Sequence, residues 1–168
     1  SFSTIYPAEN GTRAIKVFCA GEYEEFANES RVYNTIAAKG GSPYILQHHG
    51  FFTHMELNTS FTPQIFPCII FDRAPTTLSK LLNYVNKKYN SGLPMPLVKL
   101  IGRQSLEALK FLHANGIVHT DYKPENILID HSIEEIENGS PFNIILSDFG
   151  RATILPEIFK LRVGTPEY

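Results

Sequence analysis

The sequence predicts an α+β fold in two parts, a strand-rich first half followed by a helix-rich second half. Three observations carry this. Up to Phe71, β-branched and aromatic residues run in short stretches bounded by Gly, Asn and Pro. Beyond Ala74-Pro75 the apolar residues recur every three or four positions. Later, short apolar runs each lead into a polar acidic motif: Ile117-Val118 precedes Asp121, and Ile144-Ile145-Leu146 precedes Asp148.

Taken in order, strands are expected over 2–6, over Ala14-Ile15-Lys16-Val17-Phe18 after the turn signal Asn10-Gly11, and over 65–71. One helix interrupts them. Positions 22–38 carry Phe26, Val32, Tyr33, Ile36 and Ala37 at mixed three- and four-residue spacing, and Gly40-Gly41 ends the pattern. His48, His49 and His54 lack Cys or acidic partners at zinc-site spacing and read as a surface loop. The stretch 61–66 reads as a further loop. A helix over 77–89 places Leu78, Leu81, Leu82 and Val85 on one face, and its end, with Lys87 and Lys88, reads as solvated. Another over 96–115 aligns Leu97, Leu100, Ile101, Ala108, Leu109 and Leu112, and Gly116 stops it. Short strands follow at 117–118, 127–129 and 144–146. The acidic run from Glu134 to Pro141 reads as an inserted hairpin.

Composition excludes several classes of function. The chain has 168 residues, 43% hydrophobic and 19% charged, which are globular values with ample length for a core. A formal net charge of −2 offers no basic footprint for nucleic acid. Its apolar runs, such as 68–71, are far shorter than the ~20 residues needed to span a bilayer. Only Cys19 and Cys68 are present, which argues against a disulfide framework and for a reducing, intracellular setting.

The chemistry lies in His119-Thr120-Asp121-Tyr122-Lys123-Pro124-Glu125-Asn126 and in Asp148-Phe149-Gly150. Together they supply a carboxylate able to accept a hydroxyl proton, a lysine two residues on, an asparagine five residues on, and a second carboxylate beyond two short strands. The first run resembles the catalytic loop of eukaryotic serine/threonine protein kinases, His-Arg-Asp-x-Lys-x-x-Asn, and the second resembles their metal-binding triplet. The resemblance spans the whole chain and implies a bilobal protein kinase-like fold with an N-lobe over 1–73 and part of a C-lobe over 74–168. Ser1-Phe2-Ser3-Thr4-Ile5-Tyr6 looks like the end of a glycine-rich phosphate loop, and Gly164-Thr165-Pro166-Glu167-Tyr168 like the start of a longer segment, so both ends are expected to fall inside motifs.

By this resemblance the cofactors are ATP and Mg²⁺, and the partner is a protein substrate bearing serine or threonine. Asp121 would take the substrate proton, Lys123 would neutralise charge on the transferred phosphoryl group, and Asn126 and Asp148 would hold the metal. Lys16 matches the strand lysine that grips the nucleotide phosphates, and Glu29 its helical partner. Glu22, Glu24 and Glu25 compete for that place. Glu29 is preferred because Phe26 and Tyr33 share its helical face. Ser3, Ile5, Ala14, Phe71, Asp72, Ala74 and Leu128 would line the nucleotide site, and Thr165 would bond the catalytic aspartate and lysine.

Three departures stand out. Thr120 replaces the arginine that normally precedes the catalytic aspartate, which removes the usual receptor for a phosphorylated activation loop. Ser3 stands where glycine is common. The interval from Asn126 to Asp148 is long. Splicing-factor and LAMMER kinases share His-Thr-Asp, whereas Gly-Thr-Pro-Glu-Tyr belongs to other groups, so the subfamily stays open. The alternative reading is a pseudokinase that binds nucleotide as a scaffold. A small-molecule kinase is disfavoured by Lys123 and Thr165.

Overall fold

The computed structural model describes residues 3–8 and 11–156. Phe2, Asn10 and Thr165 lie outside them. Strands β1 (Ser3–Pro7), β2 (Arg13–Phe18), β3 (His48–Leu57) and β4 (Pro63–Asp72) form one antiparallel sheet in the order β1-β2-β4-β3, and helix α1 (Tyr23–Ala38) packs beside it. Then come β5 (Thr76–Thr77), α2 (Leu78–Tyr89), α3 (Met95–Ala114), β6 (Ile117–Val118), a 3-10 turn over Pro124–Asn126, β7 (Ile127–Ile129), α4 (Ile133–Glu137), β8 (Ile144–Leu146) and β9 (Thr153–Ile154). The short strands make a β5-β7-β8 sheet and a β6-β9 pair.

Three expectations need correction. The three histidines sit within β3, not in a loop. His48 stacks on Phe51 with ring centroids 4.4 Å apart, and His49 Nε2 lies 2.7 Å from Asp72 Oδ1 on β4. The stretch 61–66 is a loop only up to Thr62. Pro63 and Pro67 bound the length of β4 that pairs with β3 alone, since β2 reaches only Cys68, and a strand with one open side is where proline is tolerated. The acidic insertion is a helix, α4. Ser132 accepts from the Glu135 amide at 3.3 Å while the Glu135 carboxylate accepts from the Ser132 amide at 2.8 Å, a capping box whose Ser-x-x-Glu signature is readable in the sequence. Glu137 at its end gathers Tyr84, Lys88 and Tyr89 of α2 at 2.7–2.9 Å, so the end of α2 is tied to the insertion.

Helix α1 buries Glu29, Val32, Tyr33 and Ile36, one stripe at three- and four-residue spacing, and carries Glu24 and Glu25 in its first turn, where the helix dipole favours them. It stops at Gly40, whose φ of +88° suits glycine. Helix α3 buries Ile101, Ala108 and Leu112, and its Gln104 receives the Ile144 amide at 2.8 Å while donating to Asn143 at 3.1 Å, which ties it to β8. Met95, Val98 and Leu106 of the same helix are exposed. A single core runs from Phe18, Val32 and Tyr33 through Ile45, Phe71 and Phe149 to Ile117 and Leu112. The two parts are also joined along the backbone: Leu46 donates to Leu146 and Leu146 to Tyr44, both at 2.9 Å.

Helix α2 is capped by Thr77, whose hydroxyl accepts from the Lys80 amide at 3.2 Å, and ends at Asn90 in the left-handed region. Thr77→Ala is expected to lower stability by about 1 kcal/mol, read from a shifted urea midpoint at constant slope. Full retention of the midpoint would show that the cap contributes nothing.

Candidate active site

Alternation along β2 turns Ala14, Lys16 and Phe18 to one face, where Phe18 packs edge-on against Phe26 of α1. Lys16, only 5% exposed, donates to Glu29 Oε2 at 2.6 Å and to Asp148 Oδ1 at 2.9 Å. Among the acids that compete at the level of sequence, Glu29 is the one that meets it. Three elements thereby share one ammonium: a strand of the upper sheet, the helix beside it, and the loop after β8.

The charges are not equally comfortable. Burial opposes the Lys16 ammonium, but the Glu29 and Asp148 carboxylates outweigh it and hold its pKa above the ordinary value. At Glu29 burial outweighs the pull of Lys16 and, with the Asp148 and Glu25 charges, leaves its pKa raised to about 7. Lys16 is therefore the firm cation of the pair and Glu29 the acid that yields first. A carboxyl whose folded pKa is raised favours folding below its unfolded value near 4.5 and loses that contribution as pH rises through about 7. The wild-type stability curve should thus fall across pH 5 to 7 by on the order of 3 kcal/mol relative to that of Glu29→Gln. Chemical denaturation at several pH values measures it, and parallel curves would refute it.

The second half of the site hangs on the turn between β6 and β7. His119, buried, donates Nε2–H to the Ser147 carbonyl at 2.9 Å and accepts the Asp121 amide at Nδ1 at 3.3 Å, a pattern only the neutral imidazole satisfies. Burial lowers its pKa accordingly. Asp121 Oδ2 accepts from Lys123 at 2.7 Å and from Asn126 Nδ2 at 3.0 Å, and these bonds hold its carboxyl below the usual range. It is ionised at neutral pH and partly open to solvent. Asn126 also gives Nδ2 to the Asp121 carbonyl at 2.9 Å, so its carbonyl oxygen is the ligand it can offer. Asp148 adopts φ +64°, an uncommon left-handed geometry for a non-glycine residue.

All this surrounds one cleft of about 570 Å³, in the usual range for a small-molecule site. Ser3, Ile5, Ala14, Lys16, Glu29, Phe71, Asp72, Ala74, Asn126, Leu128 and Asp148, all singled out in the sequence, line it. Asp121 and Lys123 are not among its lining residues; they connect to it through Asn126, whose Nδ2 donates to Asp121 Oδ2 at 3.0 Å. Thr165 lies outside the described residues. Tyr33, Leu46, Thr77, Lys80 and Ser147 line the cleft without having been foreseen. Apolar spacing marks Tyr33 and Leu46 only as core. From the cleft wall inward, Phe71, Tyr33, Phe149 and His119 form a column of tilted and edge-on rings with centroid distances of 5.0, 5.1 and 4.8 Å.

A two-part α+β fold with a cleft of small-molecule size at its junction, mostly apolar but carrying Lys16, Glu29 and Asp148, defines the class, and sequence comparison gives the family. The protein kinase domain family matches residues 4–168, and the chain belongs to it. It is 39% identical over 147 residues to the phosphorylase b kinase gamma catalytic chain, liver/testis isoform, of Homo sapiens, covering 86% of this chain and 30% of that one. It is 43% identical over 140 residues to the serine/threonine-protein kinase SRPK of Physarum polycephalum, covering 77% and 31%. Over 74 residues it is 46% identical to cyclin-dependent kinase 4 of Mus musculus, covering 44% and 22%. The chain thus spans under a third of the length of these curated relatives.

Proposed function

We propose that this chain carries the phosphoryl-transfer centre of a serine/threonine protein kinase, moving the γ-phosphoryl group of ATP to hydroxyls of protein substrates. The observation that supports it is the cluster of Lys16, Glu29 and Asp148 in the cleft together with Asn126, which lines the same cleft and is hydrogen-bonded to the Asp121–Lys123 pair. Lys16 would bind the phosphates from the sheet. Asp121, ionised and open, would accept the hydrogen bond of a substrate hydroxyl and then its proton. Lys123 would balance charge gathering on the transferred group. The oxygens of Asn126 and Asp148 suit a small hard cation, and Mg²⁺ bound there would screen the phosphates. Lysine two residues after Asp121 supports serine and threonine as acceptors, as does the name of the Physarum relative. The scaffold alternative finds no support, since Lys16, Glu29, Asp121, Lys123, Asn126 and Asp148 are all present and only the arginine before Asp121 is replaced, by Thr120.

The test uses the protein that contains this chain, dephosphorylated, with its state checked by mass spectrometry. Initial rates are measured on serine, threonine and tyrosine peptides. Because Thr120 stands where a phosphate receptor would be, transfer to serine or threonine is expected from the first turnover. Transfer to tyrosine alone would overturn the acceptor assignment. A lag that tracks phosphate on Thr153 or Thr165 would overturn the reading of Thr120.

A further inference from the structure

We propose that Asn28 and Thr120 are positioning residues that clasp the segment after Asp148-Phe149 from two sides, an inference that rests on the phosphoryl-transfer reading above. Between the metal-binding triplet and β9 the chain has no sheet partner, so the carbonyls of Gly150, Arg151 and Ala152 need other donors. Side chains supply all three. Asn28 Nδ2 donates to Gly150 O at 3.0 Å and to Ala152 O at 2.9 Å, and Thr120 Oγ1 donates to Arg151 O at 2.7 Å.

The orientation of the Asn28 amide is fixed by chemistry. Two carbonyl oxygens can be met only by its nitrogen, and its own oxygen is taken by Arg31 Nη2 at 2.9 Å. Asn28 adjoins Glu29 on α1, so one turn of one helix holds Lys16 of the sheet with one side chain and the segment behind Asp148 with the next. Thr120 pays for its part in backbone strain: a β-branched residue at φ +61° is uncommon and persists only where its surroundings demand it. The Asp121 amide bonded to His119 and the Asp121 carbonyl bonded to Asn126 hold that turn from below.

Both clasping groups are neutral, an amide and a hydroxyl, so their bonds need no added charge. A phosphate captured by arginine holds an activation segment conditionally. Here an amide from above and a hydroxyl from below fix the same stretch of backbone without added charge. The consequence is that Asp148, two residues before the first clasped carbonyl, is kept where Lys16 and the metal require it.

The experiment compares Asn28→Leu, Thr120→Val and Thr120→Ser with wild type in the protein that contains this chain. Asn28→Leu keeps size and loses both donors, and is expected to lower kcat about tenfold. The Mg²⁺ concentration at half-maximal rate should rise with it, while KM for ATP, set mainly by the sheet, changes less than about twofold. Thr120→Val, at a more exposed bond, should lose about threefold, and Thr120→Ser should restore it. Amide hydrogen exchange over 150–154 should accelerate in Asn28→Leu and Thr120→Val while α3 stays protected. Unchanged exchange over 150–154 would overturn the clasp, as would a loss of kcat that merely follows a lowered Tm. If wild type transfers no phosphate, the reaction reading fails by itself, and the exchange measurement still decides the clasp.

Discussion

Asp121→Asn and Lys16→Met, each made in the protein that contains this chain, are expected to lower phosphoryl transfer by about 10²- to 10⁴-fold and to leave the fold in place. Asparagine keeps the shape of Asp121 and its place beside Asn126, but cannot accept a proton at neutral pH. Because that carboxylate is partly open and bonded chiefly to Lys123, its loss removes little packing. Lys16 is a harder case, since it is buried and its removal leaves Glu29 without a cation. Removing one partner of a buried pair is usually strongly destabilising because a charge is stranded. Glu29 has an escape: already raised to about 7, it can take up a proton at modest cost. Methionine then fills the volume of the lysine stem. Initial rates on a serine or threonine substrate, with far-ultraviolet circular dichroism and Tm as controls, measure the outcome. Near wild-type transfer in either variant would sink the assigned roles.

Phe149→Ala should have the largest effect on stability, a loss of about 3–5 kcal/mol. The ring is fully buried, edge-on to Tyr33 at 5.1 Å and tilted against His119 at 4.8 Å, so its removal opens the column that joins the sheet-and-helix part to the turn between β6 and β7. Phe149→Leu, which refills most of the space, should cost less than half as much. Urea unfolding followed by circular dichroism gives both values. A loss below about 1 kcal/mol for the alanine variant would mean that the site collapses freely and that the column is not under packing constraint. Transfer should fall as well, because Phe149 fixes the backbone next to Asp148.

Sequence by itself determined the class of fold, and it singled out the charged residues that the structure joins in two bonded groups, Lys16 with Glu29 and Asp148, and Asp121 with Lys123. Asp121, Lys123 and Asn126 stand in the turn between β6 and β7 and Asp148 in the loop after β8, so their resemblance to kinase motifs marked them and not a periodicity. Spacing on a regular helix or strand, by contrast, sets which face a charged group takes. Glu29 was legible for that reason, since it shares a helical stripe with Phe26 and Tyr33. The helix α4 was also there to be read, in Ser132 and Glu135, but the acidity of the run and its closing Gly139 and Pro141 suggested a turn. Local patterns failed at β3, where His48, His49 and His54 follow no alternation. Pairing with β4 decides that strand, not the propensity of its residues. The clasp was beyond local reading altogether. Asn28 and Gly150 are 122 residues apart, and nothing in either stretch says that a half-buried amide will find unpaired carbonyls. Only the packing of α1 against the segment after Asp148 brings them within hydrogen-bond distance, because side-chain bonds across such separations depend on the whole chain having folded first.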